Sequence, residues 1–393
     1  MAFYEPLHEM LASIDPAMLA SSTADSWRSG HPDLDAPYFD EFAELLEPGA
    51  RGIPGYDVRF ALDMFEQGVP AQSDQLAAYV NDLIDVAKQR GGVPVFKFCR
   101  SLGRLPWFRA TFPDAVHIAV AKNPISQWQS CWNLFAKHRN AHFVADPFAV
   151  LTMTQHEPIT RWVLDALQIE LPALPPGTNE TLEACLDFFK QYVQHTAPAT
   201  CYRAFLAHWL LASRHAATHA HALFDCDLAA WSPAYVQAAE RWMVELSGLA
   251  PSFSDVRSEG KSARDCGFDA QEGVQIHIQA LNLARALVRD DCAHTDTLAL
   301  WTNKLAQATQ VLVFGAEANL PQEQTPPHRA SRVVDVALVD GVGLEDVLIG
   351  ELAATRAALA KANRRLADVD NSLVWRLTKR ARQLLRRGSS HAM

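Results

Sequence analysis

Several things a secreted, membrane-spanning or hydrolytic protein needs are scarce or missing in this sequence. The seven cysteines, at 99, 131, 185, 201, 226, 266 and 292, are scattered, odd in number and form no CxxC pair. That argues against a disulfide framework and for reduced thiols in a cytoplasm. No apolar run approaches the ~18 residues of a membrane span. Residues 1–20 carry Glu5, Glu9 and Asp15 and lack the sustained apolar core of a signal peptide. There is no G-x-S-x-G, hence no serine-hydrolase elbow. An overall positive charge is also lacking: the formal net charge is −10 at pH 7, so a nucleic-acid partner is not expected.

What is present is a chain of 393 residues, 49% apolar and 20% charged, enough to bury a large core. Its charge is uneven. Residues 351–388 hold ten Lys/Arg against three Asp/Glu, or +7, which leaves −17 on the rest. An acidic body with a basic tail suggests a tail that touches a membrane face or an acidic protein partner.

Along the chain, 38–46 and 75–90 have helical spacing and 49–57 reads as a loop. "VPVFKF" (93–98) reads as a buried strand, "WFRATFP" as a short helix, and "VHIAVA" (116–121) as a second strand. Pro124 suits the first turn of a helix running to about Asn140. Strand, helix and strand at this spacing indicate parallel βαβ units. Residues 156–250 look mostly helical, with one β-like stretch at 222–227 and an amphipathic helix over 232–246. Two more helices are expected over 271–313. A linker of Pro/Gln composition follows at 320–331. Then Leu348, Leu352, Thr355, Leu359, Ala362, Leu366, Val369 and Leu373 keep a heptad a/d spacing, and 371–387 form a basic amphipathic helix.

The stretch HIAVAKNPISQWQS (117–130) carries the chemistry. Ligands of parallel sheets sit beyond the carboxyl ends of strands. Lys122 stands at such an end, before a helix N-terminus with its free N–H groups and partial positive charge. Ser130 lies two turns further on. A cation and a hydroxyl on one face can hold a phosphate; a surface lysine and a solvated serine would look the same by spacing alone.

The wider segment, VFKFCRSLGRLPWFRATFPDAVHIAVAKNPISQWQS, resembles the sulfotransferase family, in which Arg-x-Pro is followed by a serine eight positions after the arginine. Here Phe112-Pro113-Asp114-Ala115 supplies the lead-in, Asn123-Pro124 the turn, and Ser130 the serine. The resemblance implies that Lys122 and Ser130 bind the 3′-phosphate of 3′-phosphoadenosine 5′-phosphosulfate. Lys in place of Arg keeps the charge and loses the bidentate fork. AFYEPLHE (2–9) is similar to a segment of the carbohydrate sulfotransferases whose glutamate is the general base, which implies that role for Glu5; His8 is the other base on the segment, and a glutamate capping the turn before Pro6 is the plain alternative. In the cytosolic branch the base is a histidine in Lys-Thr-His; Lys97-Phe98-Cys99 has a cysteine there. FDCDLAAWSPAYVQAAERWMVEL (224–246) resembles a later block of the family. NSLVWRLTKRARQLLRR (371–387) resembles an ending of bacterial polysaccharide-assembly enzymes, a saccharide context.

The resemblance also implies a strand and a Gly/Ser/Thr-rich loop for the 5′-phosphosulfate before AFYEPLHE, where only Met1 stands ahead of it. That strand is central in the family's sheet, and its loss leaves unpaired backbone edges. Three accounts fit: a start further upstream, a degenerate relative that no longer transfers sulfate, or a partner or rearranged segment in the gap. DGVGLED (340–346) is a weak glycine match far from the site.

Other basic, histidine and tryptophan residues allow two readings each. Arg100 and Arg104, at i and i+4 after the 93–98 strand, suit an anionic sugar or the nucleotide as well as they suit a solvated loop. Arg257 and Lys261 are weaker basic candidates. His208, His215, His219 and His221 invite a metal, with His215 and His219 at i, i+4, but lack a third ligand with supporting spacing, so a polar helix face is expected and no metal. Trp128 and Trp132 read as core or domain interface before they read as a sugar platform.

The resulting expectation is an α/β fold with a parallel sheet of P-loop/sulfotransferase type flanked by helices over 1–265, a helical extension over 266–318, a linker over 319–341 and a coiled-coil-like basic tail over 342–393. The activity implied by the resemblance is sulfuryl transfer from 3′-phosphoadenosine 5′-phosphosulfate to a hydroxyl of a saccharide or glycolipid, in the cytoplasm or at the membrane periphery, with a homo-oligomer allowed by the heptads. The alternatives are a non-catalytic adaptor in a polysaccharide-assembly complex and a different nucleotide-dependent transferase on a similar sheet.

Overall fold

A computed structural model describes residues 2–21, 39–47, 49–61, 73–99, 101–178, 182–253, 265–290 and 293–314. Arg100, Arg257, Lys261, the 319–341 linker and the whole 342–393 tail with its heptads lie outside these residues. The chain divides into two compact units, Met1–Val334 and Asp335–Met393, and every described residue belongs to the first.

Four short strands are present among the described residues: β1 (Ala2–Tyr4), β2 (Val95–Lys97), β3 (Ile118–Ala121) and β4 (Ala222–Asp225). They form two parallel pairs, β1 with β2 in the register Ala2↔Val95 and β3 with β4 in the register Ile118↔Ala222. The rest is mostly helical: α1 (Pro16–Ser21), α2 (Ser73–Gln89), α3 (Leu105–Thr111), α4 (Pro124–His138), α5 (His142–Thr154), α6 (Pro158–Ala166), α7 (Leu182–Tyr192), α8 (Pro198–Ser213), α9 (Ala216–His219), α10 (Cys226–Trp231), α11 (Pro233–Ser247), α12 (Ala270–Arg289) and α13 (Thr295–Phe314). This is a helix-rich α/β arrangement. None of the described helices is long and apolar enough to cross a membrane.

Proline opens α4, α6, α8 and α11, where a missing N–H costs nothing and a fixed φ suits the first turn. Helix α2 buries Leu76, Tyr79, Val80, Leu83 and Ala87, one stripe at helical spacing. Each of its large side chains contributes about 1.5–3 kcal/mol. They join Phe3, Phe42, Phe60 and Phe108 in the core beneath β1 and β2.

Two expectations need correction. The 93–98 strand is not buried: Val93 is 56% and Val95 41% exposed, while Phe96 and Phe98 turn inward, onto Phe3 and Phe108. One covered face, not two, accounts for the alternation. The 38–46 stretch forms a 3-10 helix, Asp40–Leu45, after Phe39 at φ 65°. Burying Phe39 and Phe42 together against Phe3 and His8 favours the tighter turn.

The loop at 49–57 depends on one glycine. Gly52 has φ +80°, its N–H donates to the Ile14 carbonyl at 2.8 Å, and a Cβ there would run into the Ala12 carbonyl oxygen. Gly52→Ala is therefore expected to cost about 2–3 kcal/mol, from the left-handed backbone and the overlap together, read as a lower denaturant midpoint at unchanged slope.

Helices α12 and α13 pack on each other and reach α4, α6, α8 and α9. His277 of α12 is enclosed, with Tyr202 Oη 2.6 Å from Nε2 and Thr309 Oγ1 2.8 Å from Nδ1. The Thr309 hydroxyl donates to the Leu305 carbonyl, so Nδ1 carries the proton and Nε2 accepts from Tyr202. Burial holds His277 down at about 3. Burial, then Arg214 and His219, hold His215 down to about 3 as well. Between pH 6.5 and 3 the unfolded chain binds the protons these folded imidazoles refuse. Stability is thus full above about pH 6.5 and falls with acid, by about 1.4 kcal/mol per pH unit for each such histidine. Denaturation between pH 6.5 and 5, before carboxylates titrate, should show that slope, and His277→Gln should remove one proton's share of it.

Candidate functional site

The carboxyl end of the β1–β2 pair gathers three chemically active side chains. Glu5 follows β1 directly, and its N–H donates to the Lys97 carbonyl at 3.0 Å, extending the ladder by one residue. Its backbone then turns into the left-handed region at φ 49°. For a residue with a Cβ that costs roughly 1–2 kcal/mol, and the Pro6 that follows closes off the ordinary helical alternative. The turn aims the carboxylate back across β2. Glu5 Oε1 accepts from Lys97 Nζ at 3.2 Å and from Cys99 Sγ at 2.9 Å. The Glu5 side chain is 16% exposed and the Lys97 side chain 49%. His8, the other base on this segment, is turned inward: its Nδ1 accepts from the Met10 N–H at 3.1 Å and its ring meets Phe39 edge-on.

The carboxyl end of the β3–β4 pair is built differently. Lys122 follows β3 and is half-buried. Asn123 caps α4, accepting from the Ser126 N–H at 2.8 Å, and Pro124 is the first helical residue. Ser130 sits on α4, its hydroxyl donating to the Ser126 carbonyl one turn back at 3.3 Å. The structure thus puts Lys122 and Ser130 on one turn-and-helix unit. It also brings in partners the sequence did not point to. Asp227 of α10 accepts the Asn123 N–H at 2.7 Å and the Asn123 side-chain amide at 2.6 Å. Lys304 of α13, 1% exposed, donates to Asp225 at 2.6 Å and Asp227 at 2.7 Å. An internal carboxylate therefore meets the start of α4, where a free anion was expected. Lys122 is close enough to Cys226 and Cys131 for its charge to pull both thiols down, although burial still lifts them to about 11 and about 12.

Arg104 is not a solvated loop residue. It is 1% exposed and donates to the Phe60 carbonyl at 2.6 Å, pinning the 58–61 turn to the start of α3. Trp128 is fully buried against Trp132, Tyr202 and Phe205, with its indole N–H on the Cys266 carbonyl at 3.0 Å, so it is core. His215 and His219 do face each other, rings 5.3 Å apart, but not on a solvated face: α9 packs against α3 and α13, and Arg109 donates to the His219 carbonyl. Among the described residues no group of three or more His, Cys, Asp or Glu is placed to hold a metal ion.

No family model, curated protein or solved structure matches the chain.

Of these residues, Lys304 was beyond sequence reasoning: it lies 77 positions from Asp227, in a helix with no sequence sign of tying to a strand end. Asp225 and Asp227 stood in a quoted motif, and the signal that could have singled them out is two acids at the end of an otherwise apolar strand.

Proposed function

We propose that this chain is a sulfotransferase-type protein that moves a sulfuryl group from 3′-phosphoadenosine 5′-phosphosulfate to a hydroxyl of a saccharide or glycolipid. The observation that carries the reading is the convergence of Glu5, Lys97 and Cys99 at the carboxyl ends of two adjacent parallel strands. A carboxylate held there by a strained turn has the position and chemistry of a general base. The acceptor oxygen attacks sulfur, its proton passes to Glu5, and the sulfur–oxygen bond to the phosphate breaks to release 3′,5′-adenosine bisphosphate. Once protonated, Glu5 no longer pairs with Lys97, and that ammonium is freed toward the charge leaving with the phosphate. Lys122 with Ser130 would hold the 3′-phosphate, and Arg100 an anionic part of the acceptor; Arg104, buried on the Phe60 carbonyl, is left to the fold. What the strands lend to the P-loop/sulfotransferase type is that both pairs are parallel and that candidate site residues follow their carboxyl ends. The basic tail is assigned to a membrane surface or an acidic protein partner, giving a cytoplasmic protein with peripheral membrane contact, and the heptads allow self-association.

One observation favours a second reading, a non-catalytic adaptor in a polysaccharide-assembly complex. Asp227 sits on the α4 cap and brings negative charge to the place where the nucleotide phosphate is expected. Calorimetry with 3′,5′-adenosine bisphosphate separates the two. Heat that Lys122→Ala diminishes supports the transferase; no heat leaves the adaptor, for which deletion after Gly341 should abolish vesicle or partner association.

A further inference from the structure

Two carboxylates and two ammonium groups share the end of the β3–β4 pair. Asp225 and Asp227 are 8% and 7% exposed, and Lys304 is 1% exposed. The Lys304 ammonium spends its three donors on Asp225, Asp227 and Gln307 Oε1, the last at 3.1 Å. Asp225 also caps α10, taking the N–H groups of Asp227 and Leu228, while Asp227 holds the Asn123 cap. These groups are fixed by the fold, and a ligand does not displace them. Lys122, the residue before Asn123, is the second cation, and its charge reaches the thiol next to Asp227.

Two negative charges against two positive ones leave the cluster neutral. Lys304 lies inside and Lys122 at the half-buried turn. Without the inner cation, the uncompensated negative charge of both aspartates would act on Lys122 and on any anion beside it.

We infer that Lys304 is a positioning residue which, as the internal counter-ion of Asp225 and Asp227, leaves the Lys122 ammonium available to an anionic ligand and sets the anion affinity of the β3–α4 turn by charge, without touching the ligand. The inference rests on the reading of Lys122 as an anion ligand and is indifferent to the reaction.

It makes a prediction of sign that a purely structural network does not. Asp227→Asn keeps an acceptor for Asn123 and removes one negative charge, so anions should bind about tenfold tighter. Lys304→Met removes the counter-ion, so they should bind about tenfold more weakly. Asp227→Asn/Lys304→Met restores neutrality and should bind within about threefold of the unaltered protein. A structural network predicts that both single variants weaken binding and the double variant does so most.

The experiment is titration calorimetry of the full chain and the three variants with 3′,5′-adenosine bisphosphate and, separately, inorganic phosphate, with folding checked by circular dichroism. The pattern tighter, weaker, restored supports the inference. Equal affinities, or weakening by Asp227→Asn, overturn it. If Lys304→Met does not fold, Asp227→Asn decides by its sign. The same pattern with no preference for the bisphosphate supports the inference and removes the nucleotide reading, and the absence of binding of either anion to the unaltered protein overturns both.

Discussion

Glu5→Gln is expected to leave 3′,5′-adenosine bisphosphate binding unchanged and to lower sulfuryl transfer by roughly 10²–10⁴-fold, the span of a lost general base. Glutamine is the same shape, its amide oxygen can still accept from Lys97 Nζ and Cys99 Sγ, and the turn at φ 49° asks the same of either residue. What disappears is the ability to take a proton. The acceptor need not be known: release of the bisphosphate from 3′-phosphoadenosine 5′-phosphosulfate can be followed with water as acceptor. Undiminished turnover would take the base role from Glu5. A loss of binding together with turnover would mean that the carboxylate holds the site's shape and not its proton.

The second large effect is on stability. Lys304→Met should destabilise the fold by about 3–5 kcal/mol, because it strands Asp225 and Asp227 in a site with almost no solvent. Adding Asp225→Asn and Asp227→Asn should recover a large part of that loss, since the cost comes from unpaired charge and not from the missing methylene packing. Thermal and chemical denaturation of the single and triple variants measure it. A single variant as stable as the parent would mean that another cation, Lys122, has taken over both carboxylates.

The sequence was readable where one local rule governed the structure. Pro124 starts a helix, and the apolar spacing of Leu76, Val80, Leu83 and Ala87 lays out the buried face of α2. The 116–121 strand forms as expected, but its parallel partner is β4 and not the 93–98 strand, which pairs with β1. Legibility failed where the outcome depended on what lies opposite. Val95 and Val120 have strand propensity, but only pairing decides that both face outward, at 41% and 61% exposure. Arg104 has the look of a loop cation until the Phe60 carbonyl is placed against it. The candidate site divides the same way. Glu5 and Lys122 stood out by their local words, whereas the contact of Glu5 with Cys99 spans 94 positions and that of Asn123 with Asp227 spans 104.

Those separations bear on how the chain acquires its shape. β1 cannot pair until Val95–Lys97 has been made, and β3 waits for Ala222–Asp225, about a hundred residues later. At roughly 5–20 residues per second of synthesis, each strand is without its partner for several seconds at least, while helices between them form in microseconds. The nascent protein is therefore helical first, and its strand ends are assembled last. Asp225 and Asp227 emerge well before the helix that brings Lys304, so the two carboxylates must remain hydrated until then, and the arrival of α13 completes the β3–β4 end on the ribosome.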